Sequence, residues 1–132
     1  MITTDRRELS AIFFGGALGS GMRTALAELA PTRLGHWPWA TFAVNVAGCL
    51  LLGYFITRLQ ERLPVTAYRR PLLGTGLCGA LTTFSTFELE LLTMLDKGDL
   101  ILAVLYAAGS VVAGFVGVAI GTGVVRRAKL TW

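Results

Sequence analysis

The stretch GLCGALTTFSTFELELL, at residues 76–92, places polar chemistry inside an apolar segment. It holds two glycines, five hydroxyl or thiol side chains, two phenylalanines three residues apart and two glutamates. A helix that only crosses a membrane needs none of these groups, and polar side chains at membrane depth usually serve a function or face other protein. The stretch therefore predicts a membrane-embedded site rather than a plain membrane span.

The composition around this stretch predicts a small all-α membrane protein. The chain has 132 residues, 54% of them hydrophobic and 15% charged, which is the length of one domain. Apolar runs with few charges predict four transmembrane helices at about residues 9–30, 37–58, 71–95 and 100–125. The first run, with Arg6 and Arg7 before it and ALA at residues 25–27, also resembles a secretory signal peptide, although Arg23 just before the supposed cleavage site argues against it.

The charged residues flank these runs. The formal net charge is +4, but the basic residues stand at the ends of apolar segments and form no patch interleaved with aromatic residues. A lipid bilayer is therefore the expected partner, and nucleic acid is not. Nine Lys and Arg lie on the side of both termini and the second loop, whereas Arg33 and Lys97 lie on the other side. This bias predicts cytoplasmic termini.

Enzymatic chemistry and metal clusters find no support in the sequence. Cys49 and Cys78 lie within apolar runs and are expected to pack, because their spacing fits neither a disulfide framework nor a metal site. His36 stands alone near a loop, and no phosphate-binding glycine motif occurs. We therefore predict that the chain is not an enzyme.

Glycines and hydroxyls in the third run predict a break in its helix. Gly74, Gly76 and Gly79 precede Thr82 and further hydroxyls. Such a stretch can interrupt a membrane helix where side chains or ligands satisfy the freed backbone groups. Carbonyl oxygens that a break releases are suited to a cation.

The residues after this break form a stripe suited to an anion. If helix resumes near the break, Thr83, Thr86 and Glu90 share one face. Phe84 and Phe87 lie beside that face, and an apolar pair at this spacing commonly belongs to a core. Phenyl rings nevertheless have positive edges, which beside hydroxyl donors would help an anion to lose its water.

Two further polar pairs and one arginine lie within the predicted spans. Thr41 and Asn45 are one helical turn apart and share a face. Tyr106 and Ser110 have the same spacing and also share a face. Each pair either bonds a neighbouring helix or lines a path for a polar solute. Arg23 extends to an interface, pairs with Glu28, or supplies positive potential at the mouth of an anion path.

Three motifs together resemble the signatures of the Fluc/CrcB fluoride channels. They are GGALGSGMR at residues 15–23, TFAVNVAG at residues 41–48 and GLCGALTTFSTFELE at residues 76–90, in the family's order and spacing. The arginine motif departs from the family, which often has an aromatic residue where this chain has Thr24. The resemblance covers all four predicted helices. It implies a small bacterial inner-membrane protein that forms an antiparallel dimer with two fluoride pores.

The resemblance also implies a role for each matching position. A structural sodium ion at the dimer centre would bind the backbone carbonyls of Gly79 and Thr82, and Arg23 would attract anions to a vestibule. The fluoride pore would be lined by Thr41, Asn45, Thr83, Phe84, Thr86, Phe87, Glu90, Tyr106 and Ser110.

Passive export of cytoplasmic fluoride, and hence fluoride resistance, is the function that the resemblance implies. The partners are then fluoride and a second, inverted subunit. Family members that insert in both orientations should carry nearly equal numbers of basic residues on the two sides of the membrane. This chain departs from that pattern, with nine basic residues on one side and two on the other. The chain forms either a homodimer despite the bias or a pair with an inverted homologue.

Two other classes of protein stand as alternatives. A small four-helix, proton-coupled exporter of cationic compounds needs a carboxylate deep in the first span, where only Glu28 is available, close to the end of the span. A non-transporting membrane subunit would use the polar residues only to join helices.

Overall fold

The computed structural model describes residues 5–61 and 68–128, and within these ranges the chain is helical and contains no strand. Helix α1 is Arg6–Leu29 and α2 is Trp39–Glu61. Helix α3 begins with wide π-helical turns at Pro71–Cys78 and continues as α-helix through Gly79–Leu81. Helix α4 is Phe84–Asp96 and α5 is Leu100–Arg127. The prediction of an all-α protein is confirmed for this part of the chain.

Two of the described helices have the length and apolar composition of a membrane span. These are α2 and α5, with mean hydropathies of 1.7 and 2.2. Helix α1, which carries Arg23 and Glu28, and the interrupted α3–α4 segment do not meet the same criterion. Arg62 and Lys129, two of the nine residues behind the predicted charge bias, lie outside the described residues.

Helix α1 packs against α3 at very short range through glycines. At Gly15 a Cβ atom would overlap the carbonyl oxygen of Leu72, and at Gly19 it would overlap that of Leu77. From the other side, a Cβ atom on Gly76 would lie 2.8 Å from a carbonyl oxygen of α1. Only glycine permits two backbones to approach so closely, so the spacing of Gly15 and Gly19 is a packing motif.

Helix α2 packs along α5 in the same way. A Cβ atom on Gly117 would lie 3.1 Å from the carbonyl oxygen of Val46, and one on Gly121 would overlap the carbonyl oxygen of Leu50. The bundle is thus built from two close helix pairs, α1 with α3 and α2 with α5, while α4 leans on α5. The interruption between α3 and α4 lies where these pairs meet.

At this interruption the chain leaves the helical conformation for two residues. Thr82 has φ −76° and ψ 152°, and Thr83 has φ −142° and ψ 121°, so both are extended. The Thr82 hydroxyl donates to the carbonyl of Cys78 at 3.0 Å, and the Thr83 hydroxyl accepts from the N–H of Thr86 at 3.3 Å. The two threonines therefore end one helix and cap the next.

A small aromatic core connects the interruption to the end of the bundle that carries the 30–38 loop. Tyr106 on α5 is fully buried, and its ring centroid lies 5.1 Å from that of Phe87 and 5.3 Å from that of Trp37, which meets it edge-on. Gly109 leaves room for Trp37, because a Cβ atom there would lie 3.1 Å from the indole ring. This packing fixes the position of Tyr106.

Candidate functional site

The side-chain amide of Asn45 on α2 bonds both backbone groups of Thr83. The Thr83 N–H donates to Asn45 Oδ1 at 2.8 Å, and Asn45 Nδ2 donates to the Thr83 carbonyl at 3.0 Å. In a continuous helix the Thr83 N–H would bond the carbonyl of Gly79, so Asn45 replaces a missing helical bond. Thr83 is only 7% exposed, where an unsatisfied backbone group would be costly. Asn45 thereby stabilises the interruption.

The interruption also leaves backbone carbonyls without donors. Within the described residues, no hydrogen bond reaches the carbonyl oxygen of Gly79 or of Thr82, because the N–H groups of Thr83 and Thr86 are bound elsewhere. A carbonyl in an apolar setting requires a polar partner, and a hard cation is one such partner. The two positions are thus chemically suited to a cation.

The carboxylate of Glu90 on α4 gathers hydroxyl donors from three other segments. Thr41 Oγ1 donates to Oε1 at 2.7 Å, Tyr106 OH donates to Oε2 at 2.7 Å, and Thr32 Oγ1 lies 3.4 Å from Oε1. Hydrogen bonds to a charged acceptor at such short distances belong to the strong class. The hydroxyls of Thr41 and Tyr106 are therefore engaged by Glu90.

Ser110 and Asn45 supply donors that are free. Ser110 Oγ is buried and has no hydrogen-bond partner among the described residues. Asn45 uses one amide hydrogen on Thr83 and keeps the second. An unsatisfied buried polar group requires an explanation, and a ligand that accepts hydrogen bonds provides one.

An open groove of about 400 Å³ runs over the interruption, and we call it the central groove. Its walls include both free donors and the two rings that the sequence singled out, Phe84 and Phe87, whose centroids are 6.1 Å apart. Phe84 is 69% exposed, so the groove is open on one side. The lining also includes Gly79, Thr82, Thr83 and the two free cysteines, Cys49 and Cys78.

Two smaller cavities lie beside the central groove. The first, which we call the arginine cavity, measures about 290 Å³ and is lined by Arg23, Thr41, Thr83 and Thr86 among others. The second, the loop cavity, measures about 280 Å³ and is lined by Thr86, Glu90 and the 30–38 loop. Thr83 is common to the groove and the arginine cavity, and Thr86 is common to the two cavities. The three spaces are therefore neighbours along one hydroxyl-rich path.

Arg23 stands beside this path without an acidic partner. It is half-buried on α1 and forms no ion pair with Glu28 or with any other carboxylate in residues 5–61 and 68–128. Glu28 itself is exposed and lines none of the three spaces. The structure thus contradicts a pairing of Arg23 with Glu28, whereas extension of Arg23 to an interface and a role for it beside an anion path both stay predictions.

Two contributors to the site were not predicted from the sequence. Thr32 approaches Glu90 from a loop 58 positions away, and Trp37 packs on the ring of Tyr106. A loop threonine carries no distinctive signal, whereas a tryptophan at the start of a span ordinarily indicates a membrane interface. The indole N–H of Trp37 is buried and has no partner among the described residues.

The fold and the site define an all-helical protein with two helices long and apolar enough to span a membrane, and with an interrupted helix that brings hydrogen-bond donors and phenyl rings to one groove. A family model described as CrcB-like protein, Camphor Resistance (CrcB), matches residues 10–122. This match covers most of the chain, and the chain belongs to the CrcB family.

Curated relatives resemble the chain over nearly its whole length. The fluoride-specific ion channel FluC 1 of Mycobacterium tuberculosis is 53% identical over 126 residues, which are 96% of each chain. FluC 1 of Mycolicibacterium paratuberculosis is 54% identical over 130 residues, 98% of each chain. FluC of Chloroflexus aurantiacus is 41% identical over 117 residues, 88% of this chain and 93% of the relative.

These comparisons confirm the family that the three sequence motifs predicted. They also confirm that the chain is not an enzyme, because the relatives are named as ion channels.

Proposed function

We propose that the chain is a fluoride-selective channel that crosses the bacterial inner membrane several times and exports cytoplasmic fluoride passively. The observation that carries the proposal is the central groove, where the free donors of Asn45 and Ser110 and the rings of Phe84 and Phe87 line the same space. The names of relatives that are more than half identical over nearly the whole chain support the choice of fluoride.

The chemistry of the groove suits a small, strongly hydrated anion. Such an ion enters a narrow passage only if hydrogen-bond donors replace its water. Ser110 and Asn45 donate directly, and the phenyl edges add weaker positive contacts. An inside-negative potential drives an anion outward by about 2.3 kcal/mol per 100 mV, so export requires no further energy source.

A second, inverted subunit completes the pore in this proposal. The central groove is open along one side, and Phe84 projects into it with most of its ring uncovered. A half-open groove lined with donors conducts no ion until another surface closes it against lipid. The partner is a second copy of this chain or an inverted homologue, and reconstitution of one chain type distinguishes these.

A structural sodium ion at the interruption is also part of the proposal. The carbonyls of Gly79 and Thr82 face no donor within the described residues, and carbonyl oxygens are suitable sodium ligands. The ion would act there as a fixed positive charge that joins backbone segments.

The proposal is tested by fluoride efflux from liposomes that contain only this purified chain. A fluoride electrode records release, a potassium ionophore balances charge, and chloride-loaded vesicles are the control. We expect rapid fluoride release without chloride release. Equal chloride release would refute selectivity. If this chain alone releases no fluoride but releases it when a homologue is co-reconstituted, the chain has an obligate inverted partner. No fluoride release in either case would refute the proposal.

Tyr106→Phe is expected to reduce fluoride flux by roughly ten- to a hundredfold. The ring keeps its packing against Trp37 and Phe87, but Glu90 loses one of its two short hydroxyl donors. A hydrogen bond to a charged group is worth about 1.5–3 kcal/mol, and each 1.4 kcal/mol corresponds to about tenfold. The measurement is liposome flux. Tyr54→Phe, which removes a hydroxyl that accepts from Arg58 and lines none of the three spaces, is the matched control, and an equal effect of both changes would contradict the role of Glu90.

Replacement of sodium by a large organic cation is expected to lower both flux and thermal stability. Backbone carbonyls cannot be removed by substitution, so the cation itself is varied at constant ionic strength. A ligand present at a hundred times its dissociation constant stabilises the native state by about 2.7 kcal/mol. Unfolding midpoints and flux that are identical in sodium and in N-methylglucamine would refute the cation site at Gly79 and Thr82.

A further inference from the structure

The loop cavity has a rim of polar and charged side chains at the end of the bundle opposite the start of α1 and the end of α5. The rim combines Arg33 and His36 from the 30–38 loop with Lys97 and Asp99 from the turn between α4 and α5. The floor is formed by Glu90, with Thr86 beside it. A cavity of about 280 Å³ with a polar floor and a charged rim has room for a small ion that keeps part of its water.

The backbone holds this rim in place. After α4, the N–H of Gly98 bonds the carbonyl of Leu95 at 3.0 Å, and the N–H of Asp99 bonds that of Met94 at 2.9 Å. With φ at +79° for Gly98, these bonds form a Schellman motif, which ends the helix in a defined geometry. Lys97 and Asp99 therefore project from fixed backbone positions at either side of one glycine.

The charges of the rim favour an anion. Arg33 and Lys97 are exposed, and neither forms an ion pair with a carboxylate in the part of the chain that the structure describes. The carboxylate of Glu90 on the floor is hydrogen-bonded by Thr41 and Tyr106, which offsets part of its charge toward the cavity. On the rim, two permanent positive charges thus face a single carboxylate, that of Asp99.

The cavity is also next to the anion path. Its residue Thr86 lines the arginine cavity as well, and that cavity shares Thr83 with the central groove. The hydroxyl of Thr32, from the loop itself, reaches the Glu90 carboxylate at 3.4 Å. An ion that leaves the groove on this side therefore passes the arginine cavity before it meets the loop cavity.

From this arrangement we propose that the loop cavity is a mouth of the anion path, at which Arg33 and Lys97 concentrate small inorganic anions. The inference rests on the proposed channel function and adds a second basic site at the end of the path beyond Arg23. A charged rim raises the local concentration of counter-ions, and its effect falls as salt screens it.

The test is single-channel or liposome fluoride current through the full chain at low and high ionic strength. Arg33→Gln and Lys97→Gln are each expected to lower the current about threefold at low ionic strength, the effect of a unit charge about 7 Å from the ion in water. Asp99→Asn is expected to raise the current by a similar factor. Asp99 makes no side-chain capping bond, so this change leaves α5 intact. At 1 M salt, where the screening length is about 3 Å, all three variants should match the unmodified chain.

A chemical rescue distinguishes charge from shape. Lys97→Cys is modified with a thiol reagent that restores a positive charge or with one of similar size that adds a negative charge. We expect the first reagent to restore the low-salt current and the second to lower it further. The chain without the Lys97→Cys substitution is treated with the same reagents, to account for reaction at Cys49 and Cys78.

Three results decide the inference. Unchanged low-salt current in Arg33→Gln and Lys97→Gln, or equal losses of current at low and high salt, would refute the proposal that these residues concentrate anions at the loop cavity. The channel function would not be affected by either result. Rescue by the negative reagent as well as by the positive one would also overturn it. Absence of fluoride current in the unmodified chain would instead refute the channel function on which the inference depends.

Discussion

Asn45→Asp is expected to abolish fluoride conduction while the helices remain assembled. The new carboxylate can still accept from the Thr83 N–H, but it has no hydrogen to donate to the Thr83 carbonyl, so one of the two bonds becomes a repulsive oxygen–oxygen contact. The carboxylate also places a negative charge in the central groove. Two like charges about 4 Å apart repel by about 4 kcal/mol at an effective dielectric constant of 20, which corresponds to roughly a thousandfold loss of flux.

Two further variants separate the effect of the added charge from the loss of the hydrogen bonds to Thr83. Asn45→Ala removes both bonds to Thr83 without adding charge, so it should lose flux less completely than Asn45→Asp. Thr57→Val removes another polar contact of α2, the 3.2 Å bond to Thr122, which lies outside the three spaces and should leave flux unchanged. Fluoride efflux and unfolding midpoints are measured together. Normal efflux in Asn45→Asp would show that Asn45 only packs and would remove it from the pore.

The role of Asn45 shows how far the sequence alone could lead. Its amide was expected either to bond a neighbouring helix or to line a polar path, because helical periodicity places it one turn from Thr41. The structure shows that the first of these takes place, and that the bond goes to the backbone of Thr83, 38 positions away. Periodicity reports which residues share a face of one helix, but it contains no information about which backbone group on another helix is left unsatisfied.

The start of α4 gives a second example. The stripe of Thr83, Thr86 and Glu90 was predicted for a helix that resumes near Thr82, whereas α4 begins at Phe84. The difference arises because the hydroxyls of Thr82 and Thr83 bond backbone groups locally, one at the end of α3 and one at the start of α4. Threonine side chains that bond the backbone locally disfavour continuation of the helix, and composition alone does not show at which residue the helix resumes.

Contacts made by loops were beyond the reach of the sequence. Thr32 and Lys97 have no periodic neighbours, so nothing in the chain indicated that they line one cavity. Glu90, by contrast, was found because it ends a stripe of polar residues on a single helix. The identity of the polar residues on the helices was therefore predictable, and their partners across segments were not.

Gly15→Ala is expected to prevent α1 from packing against α3 and to leave little folded protein. The added methyl group would overlap the carbonyl oxygen of Leu72 and lie 2.9 Å from the backbone nitrogen of Leu77. Both atoms belong to the backbone, so no side-chain rotation relieves the contact and the two helices must separate. Overpacking typically costs about 1–3 kcal/mol where side chains can adjust, and we expect a larger loss of unfolding free energy here. Denaturant titration in detergent and the yield of folded protein measure it.

Gly16→Ala is the matched control, because a Cβ atom at Gly16 would have no atom within 4 Å. Alanine is favoured over glycine in a helix by about 1 kcal/mol, so the control should equal or exceed the original chain in stability. Gly121→Ala and Gly123→Ala repeat the comparison on α5, because a Cβ atom at Gly121 would overlap the backbone of α2 and one at Gly123 would have no atom within 4 Å. Equal stability of Gly15→Ala and Gly16→Ala would show that α1 and α3 are not in backbone contact. Because both substitutions change helix propensity equally, a difference between them measures the close approach of the helices alone.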